Sequence, residues 1–196
     1  MGAWLLWCLL HSLLASCRVK RYLGCGSSLS ARQYRLCYVL FSTLTLAVLL
    51  FWQSAVISLP PPAGWPWQTV RLLLFAYAGY MLTAGGRAYD LKEFLGLTQP
   101  APEPAAGATH FRRDGILARV RHPWYSGGIA LLIAAGETPW DRWDWRALLL
   151  VYLLVGCLIE ERRLVSELGE VYRQYQREVP MLLPGIQKGS ASNRGR

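Results

Sequence analysis

Five apolar stretches alternate with polar segments along the 196-residue chain, at residues 2–17, 36–59, 67–86, 123–140 and 145–159. At 1.5 Å per residue the second is long enough for the roughly 30 Å hydrocarbon core of a bilayer. The fifth is shorter, about 22 Å at that rise. It is expected to continue as helix past Glu160 and keep the first carboxylates near the hydrocarbon edge. Pro60-Pro61-Pro62-Ala63-Gly64-Trp65-Pro66 makes an uncharged turn between the second and third stretches. A long segment, 87–122, precedes the fourth and holds a Pro/Ala spacer at 99–108 followed by a basic stretch. After Ile159 the pattern becomes amphipathic: Leu164, Leu168, Val171, Tyr172 and Tyr175 recur at spacings of three and four until Pro180. Residues 185–196, rich in Gly, Ser and Arg, read as a disordered tail. The expected fold is all-α: a single domain over 1–184, a polytopic membrane protein with about five transmembrane helices and an amphipathic C-terminal helix.

Composition supports that class and charge orients it. Hydrophobic residues make up 53% and charged residues 17%, against roughly 25% charged in soluble domains. Nine Trp and ten Tyr suit a protein with two membrane–water interfaces to anchor. The net charge is +9, which in isolation would also fit a nucleic-acid binder. Segments 18–35, 87–122 and 160–196 hold 18 of the 21 Lys and Arg residues. By the positive-inside bias all three are cytoplasmic, so the N-terminus is expected outside and the C-terminus inside, in the plasma (inner) membrane. The cations then face anionic lipid headgroups, and no basic groove or known module calls for nucleic acid.

The five cysteines are odd in number and contain no Cys-x-x-Cys, which argues against a disulfide scaffold or a structural metal site. They read as buried free thiols. Leu14-Ala15-Ser16-Cys17 resembles a lipoprotein cleavage box, but no Lys or Arg precedes it, whereas Arg18, Lys20 and Arg21 follow directly. An uncleaved helix entering the cytoplasm is the expectation.

Two clusters exceed what a plain scaffold needs. Arg121-His122-Pro123-Trp124-Tyr125-Ser126-Gly127-Gly128 leads into the fourth stretch. Proline suits the first helical position, leaving neighbouring N–H groups to meet an anion, and the glycines permit close approach. The plainer alternative is a basic interfacial anchor with a helix-packing glycine pair. Glu160-Glu161-Arg162-Arg163-Leu164 closes the fifth stretch, where acids oppose the helix dipole and sit near membrane depth. Here the plainer alternative is a solvated face paired to nearby arginines. If the last two apolar helices form a hairpin, an Arg/His cluster faces a Glu pair, which suits a zwitterionic ligand carrying a sugar.

In order and spacing, Arg121-His122-Pro123-x-Tyr125-x-Gly127, then Glu160-Glu161-x-x-Leu164, then Gly169-x-x-Tyr172-x-x-Tyr175 and Val179-Pro180 resemble the integral-membrane methyltransferases. This group includes the isoprenylcysteine carboxyl, phospholipid and methanethiol S-methyltransferases and the NnrU-like proteins. The resemblance covers roughly the C-terminal half. It implies an S-adenosylmethionine site opening to the cytoplasm, built over residues 109–184, with His110, Arg121, His122, Pro123, Tyr125, Gly127, Glu160 and Leu164 as cofactor-binding residues. His122 and Glu161 are the candidate catalytic proton acceptors. Gly156 stands where the prenylcysteine enzymes place an arginine for the substrate carboxylate. His11-Ser12-Leu13-Leu14-Ala15, Tyr89-Asp90-Leu91 and Val179-Pro180-Met181 are more similar to the thiol-methylating and NnrU-like branch. The acceptor is therefore expected to be a small apolar thiol or a lipid-like molecule. His11 reads either as a hydrogen-bonded packing residue or as a catalytic one, and Asp90 as a cap. Two alternatives stay open: a non-catalytic NnrU-like accessory protein, and an NADPH-dependent sterol-reductase-like enzyme.

Overall fold

The computed structural model describes residues 1–16, 19, 31–56, 64–89, 95, 97, 112–136 and 144–185. Among them are six α-helices and no strand: α1 (Gly2–Ala15), α2 (Ala31–Val56), α3 (Trp65–Ala88), α4 (Pro123–Ala134), α5 (Asp144–Leu168) and α6 (Glu170–Glu178). A 3-10 turn over Gly115–Ala118 precedes α4. The described part of each apolar stretch falls mostly on one of the first five helices. α2 carries a 22-residue run, Arg32–Gln53, with mean hydropathy 1.8, long and apolar enough to cross a membrane. α1 and α4 are shorter apolar helices. Cys17, Cys25, residues 60–62, Asp90, the spacer at 99–108, His110 and the tail from 186 onward lie outside the described residues. Cys8 and Cys157 are buried free thiols as expected, but Cys37 is exposed.

The chain divides into two compact units. The first comprises Met1–Gln68, Tyr89–Glu103 and Gly136–Tyr152. Down α1, the partners on α2 come in descending order. Trp4 donates to Gln53, Trp7 to Thr45, His11 meets Ser42 and Tyr38, and Tyr34 donates to the Leu14 carbonyl. α1 and α2 are thus antiparallel. Against the first half of α5 the order ascends: Trp4 stacks on Trp145 with ring centroids 4.9 Å apart, and the Ser12 and Tyr152 hydroxyls lie 2.9 Å apart. Those two helices run parallel. The polar tips of Trp4, Trp7, His11, Ser12, Tyr34 and Tyr152 each find a partner in this apolar interface, as burial requires. His11 in particular is bonded to Tyr38 at 2.9 Å and Ser42 at 3.2 Å and stacks on Trp7.

The second unit comprises Thr69–Ala88, Pro104–Ala135 and Leu153–Arg196. Pro123 starts α4 at the first helical position. α4 packs antiparallel on α3: Arg71 donates to the Ala134 carbonyl at 3.0 Å, Tyr77 and Ser126 share a 2.6 Å hydrogen bond, and Trp124 donates to the Leu82 carbonyl. The approach is close because two glycines face it. A Cβ on Gly127 would stand 3.1 Å from the Met81 Cβ, and one on Gly85 would collide with the Trp124 indole. Across the other face, Tyr125 lies against Gly156 and Gly128 against Leu153, so α4 is also antiparallel to the second half of α5.

The amphipathic C-terminal segment is two helices rather than one continuous helix after Ile159. α5 runs on to Leu168, and Gly169 breaks it at φ +59° before α6 begins. This left-handed conformation is one that only glycine adopts at little cost. The break rotates the apolar stripe. Tyr172, Tyr175 and Val179 form a buried cluster with Leu164, Val165 and Leu168 packed on it, while Val171, expected on the same face, is 43% exposed.

Candidate functional site

Glu161 stands near the end of α5, only 6% exposed. A buried carboxylate needs its lone pairs filled, and here five donor contacts fill them. Oε1 accepts from Arg121 Nε at 3.0 Å, His122 Nε2 at 2.6 Å and the Tyr172 hydroxyl at 2.6 Å. Oε2 accepts from Arg121 Nη2 at 2.8 Å and Gln176 Nε2 at 2.5 Å. Burial pushes the Glu161 pKa up, but the bonds from Arg121, Tyr172, Gln176 and His122 outweigh it and hold the value at about 2. Tyr172 is shifted the other way, first by burial and then by its bond to this carboxylate. An ionised carboxylate only accepts, so the proton in the His122 contact sits on Nε2.

The same residues clamp the C-terminal arm. Arg121 Nη1 donates to the carbonyls of Gln176 and Val179, so four of the guanidinium's five N–H groups are engaged. The backbone N–H groups of Arg121 and His122 donate to Pro180 and Met181, and Gly185 donates to the Arg119 carbonyl. Tyr175 reaches the Leu117 carbonyl at 2.6 Å. Segment 119–122, the end of α5 and residues 172–185 are thereby tied into one node around a single negative charge.

Comparison with known proteins places the chain in a family. The chain is 31% identical over 182 residues to methanethiol S-methyltransferase 1 of Bradyrhizobium diazoefficiens, covering 89% of this chain and 62% of that protein. It is 30% identical over 173 residues to the methanethiol S-methyltransferase of Pseudomonas deceptionensis, covering 81% and 62%. To methanethiol S-methyltransferase 2 of B. diazoefficiens it is 30% identical over 185 residues, covering 90% and 68%. The chain belongs to the methanethiol S-methyltransferase family. That family falls within the integral-membrane methyltransferases that the Arg-His-Pro and Glu-Glu motifs resemble. The chain spans 62% of the length of the first two of these relatives. No family model matches it, and no solved structure does.

In this member of the methanethiol S-methyltransferase family, the motif residues separate into three environments. Arg121, His122 and Glu161 come together in the node. Tyr125 is half-buried beside it, meeting the His122 ring edge-on with centroids 5.6 Å apart, and Glu160 is half-buried with no hydrogen-bond or ion-pair partner among the described residues. Pro123, Gly127 and Leu164 serve packing: Pro123 starts α4, Gly127 meets α3, and Leu164 supports the α6 cluster. His110 lies outside the described residues. Sequence reasoning had Tyr172 on an apolar face and did not single out Gln176. Their carboxylate contacts depend on the turn at Gly169, and the Tyr172 motif position was the signal that pointed to it.

Proposed function

We propose that this protein is an integral-membrane S-methyltransferase that moves a methyl group from S-adenosylmethionine to a small thiol of the methanethiol class at the cytoplasmic face. The carrying observation is the Glu161 node, which joins the Arg121-His122 segment to the end of α5 and leaves Glu160 and Tyr125 beside it. The names of the relatives support the acceptor class. Five crossings, with the N-terminus outside and the inner membrane as the site, are supported by the Arg32–Gln53 run, by the cation distribution, and by helix directions. α1 is antiparallel to α2 and parallel to α5, and α4 is antiparallel to both α3 and α5.

The residues present fit the cofactor. Glu160 is an acid without a partner among the described residues, suited to ribose hydroxyls or the cofactor's ammonium. Tyr125 offers an aromatic face, and His122 lines the same corner. Arg121, with four donors engaged, acts as a positioning residue: it holds Glu161 and the arm, and through them the site. S-adenosylmethionine, when bound, supplies an electrophilic methyl on a sulfonium. The protein must hold a thiol sulfur about 3–3.5 Å from that methyl and in line with the breaking bond. The thiol proton leaves as the new S–C bond forms. Glu161, at a pKa of about 2 with its oxygens filled, is a poor acceptor for it. His122, whose Nε2 proton is fixed on Glu161, has Nδ1 as its basic atom. A water-poor site favours the step, because thiolate and sulfonium charges cancel in the transition state.

The test is calorimetry of the detergent-purified chain with S-adenosylmethionine, followed by radiolabelled methyl transfer to methanethiol, prenylcysteine analogues and phospholipids. Binding with transfer to methanethiol is expected. Absence of binding to a folded sample, or binding of NADPH in its place, would overturn the reading.

A further inference from the structure

A cleft of about 490 Å³ opens at the C-terminal end of α3, between Tyr80, Ala84 and Arg87 on that helix and Arg112, Asp114 and Arg119 around the 3-10 turn. Its volume is in the range of small-ligand sites. None of Tyr125, Glu160, Glu161 or His122 lines it, so the proposed transfer chemistry leaves it unexplained.

The two sides of the cleft differ in what they offer. Arg112 is committed to the turn, with three of its five N–H groups engaged: Nε and Nη2 donate to both oxygens of Asp114 at 3.1 and 2.9 Å, and Nη1 donates to the Ala88 carbonyl at 2.9 Å. That fork fixes the turn segment to the end of α3. Arg87 and Arg119 are exposed, and neither meets an acid among the described residues. With Asp114 paired to Arg112, Arg87 and Arg119 are the cleft's two arginines without an acidic partner among the described residues. The rest of the wall is apolar. Tyr80, Ala84 and Ala88 recur at helical spacing down one stripe of α3, and Ile116 closes the floor, 7% exposed. Tyr80 itself is 54% exposed on that stripe.

Two cations at one end of an apolar stripe, at the end of a helix read as crossing the membrane, match an anion that carries a hydrocarbon tail. Basic pockets at the cytoplasmic ends of membrane helices bind lipid phosphates in this way, and a guanidinium pair suits a phosphate's fixed geometry. S-adenosylmethionine is a poor match, since its sulfonium and ammonium outnumber its carboxylate and it would meet two cations. We propose that this cleft is a site for the phosphate of one anionic phospholipid, held by Arg87 and Arg119, with its acyl chains running along α3 past Ala84 and Tyr80. This rests on the proposed reading of α3 as a membrane helix, and it does not depend on which acceptor is methylated.

The experiment uses the full chain and the double variant Arg87→Gln/Arg119→Gln in nanodiscs of phosphatidylcholine with and without phosphatidylglycerol. Native mass spectrometry reads retained lipid, and calorimetry reads S-adenosylmethionine affinity. The wild type is expected to retain one phosphatidylglycerol in preference to phosphatidylcholine. The double variant should lose about ten-fold or more of that retention, as removal of two charge-assisted contacts implies, while its S-adenosylmethionine affinity is unchanged. Equal retention of the two lipids, or undiminished retention by the variant, overturns the proposal. So does displacement of phosphatidylglycerol by millimolar inorganic phosphate, which would make the cleft a site for a free anion. Loss of S-adenosylmethionine affinity in the variant overturns it in favour of the methyl donor. A wild type that retains the lipid yet binds no S-adenosylmethionine would refute the methyltransferase reading and leave the lipid site standing.

Discussion

Replacing Glu161 with glutamine keeps the shape of the side chain and removes the charge on which five donor contacts converge. Whichever terminal atom becomes the amide nitrogen, it faces donors: Arg121, His122 and Tyr172 on one side, or Arg121 and Gln176 on the other. Arg121, with a side chain 9% exposed, is left as a buried cation without its counter-ion. Two routes give the size of the effect. A pKa held at about 2 rather than the ordinary 4.5 corresponds to about 3 kcal/mol at ~1.36 kcal/mol per unit. Breaking one side of a buried ion pair costs about 3–5 kcal/mol. For a chain of this size, 3 kcal/mol lowers the melting temperature by about 6–12 °C. The assay is thermal unfolding in detergent followed by intrinsic fluorescence, with Glu160→Gln as the paired control. Glu160 has no partner among the described residues, so its variant should melt within about 2 °C of the wild type, as neutral surface changes do, while losing S-adenosylmethionine affinity. A Glu161→Gln protein that melts like the wild type would refute the node as an energetic centre. Equal destabilisation by the two variants would refute the assignment of different roles to adjacent acids.

Acid should act through the same group. Its folded-state pKa lies below the unfolded value, so its stabilisation is complete above about pH 4.5 and fades as pH falls toward 2. Acid melts of the wild type should show that decline, and Glu161→Gln should flatten it. Gly169→Ala forces a side chain into a positive-φ conformation that L residues rarely adopt at a cost of about 1–3 kcal/mol. Because that turn aims Tyr172 and Gln176, protease susceptibility after residue 169 should rise and donor affinity fall together. Gly85→Ala places a methyl group against the Trp124 indole, so about 1–3 kcal/mol of overpacking is expected, measured as a lower melting temperature with donor affinity retained at permissive temperature. His122→Asn should lower turnover far more than donor affinity if Nδ1 takes the thiol proton; unchanged turnover would exclude that role.

How much of this was legible before folding depends on the range of the interaction concerned. Apolar runs report helices because burying a continuous apolar surface at 1.5 Å per residue is a local property of the chain, and the described part of each of the five stretches falls mostly on a helix. Pro123 marks the start of α4 for a similarly local reason. The Arg-His-Pro and Glu-Glu clusters were visible as chemistry out of place in an apolar chain. Their division of labour was not, because Glu160 and Glu161 are identical neighbours in sequence. They differ by about 100° around a helix axis, enough to put one in a cage of donors and leave the other beside it. The amphipathic repeat after Ile159 was misleading for a related reason: periodicity carries smoothly across Gly169, and only the left-handed turn there removes Val171 from the buried face.

The sequence by itself determined an all-helical chain, the cationic segments expected on the cytoplasmic side, and the segments that bear the functional acids and bases. Those follow from hydropathy, charge count and residue type, which are sums over neighbours in the chain. Tertiary structure alone decided that Arg121 is occupied in holding Glu161 and the C-terminal arm, that Tyr172 and Gln176 complete that cage, and that Arg87 and Arg119 remain as a cationic pair on one cleft. A charged group's role is set by which partners reach it within about 3 Å, and the partners of Arg121 and Glu161 that tie in the C-terminal arm lie 11 to 58 positions away in the chain.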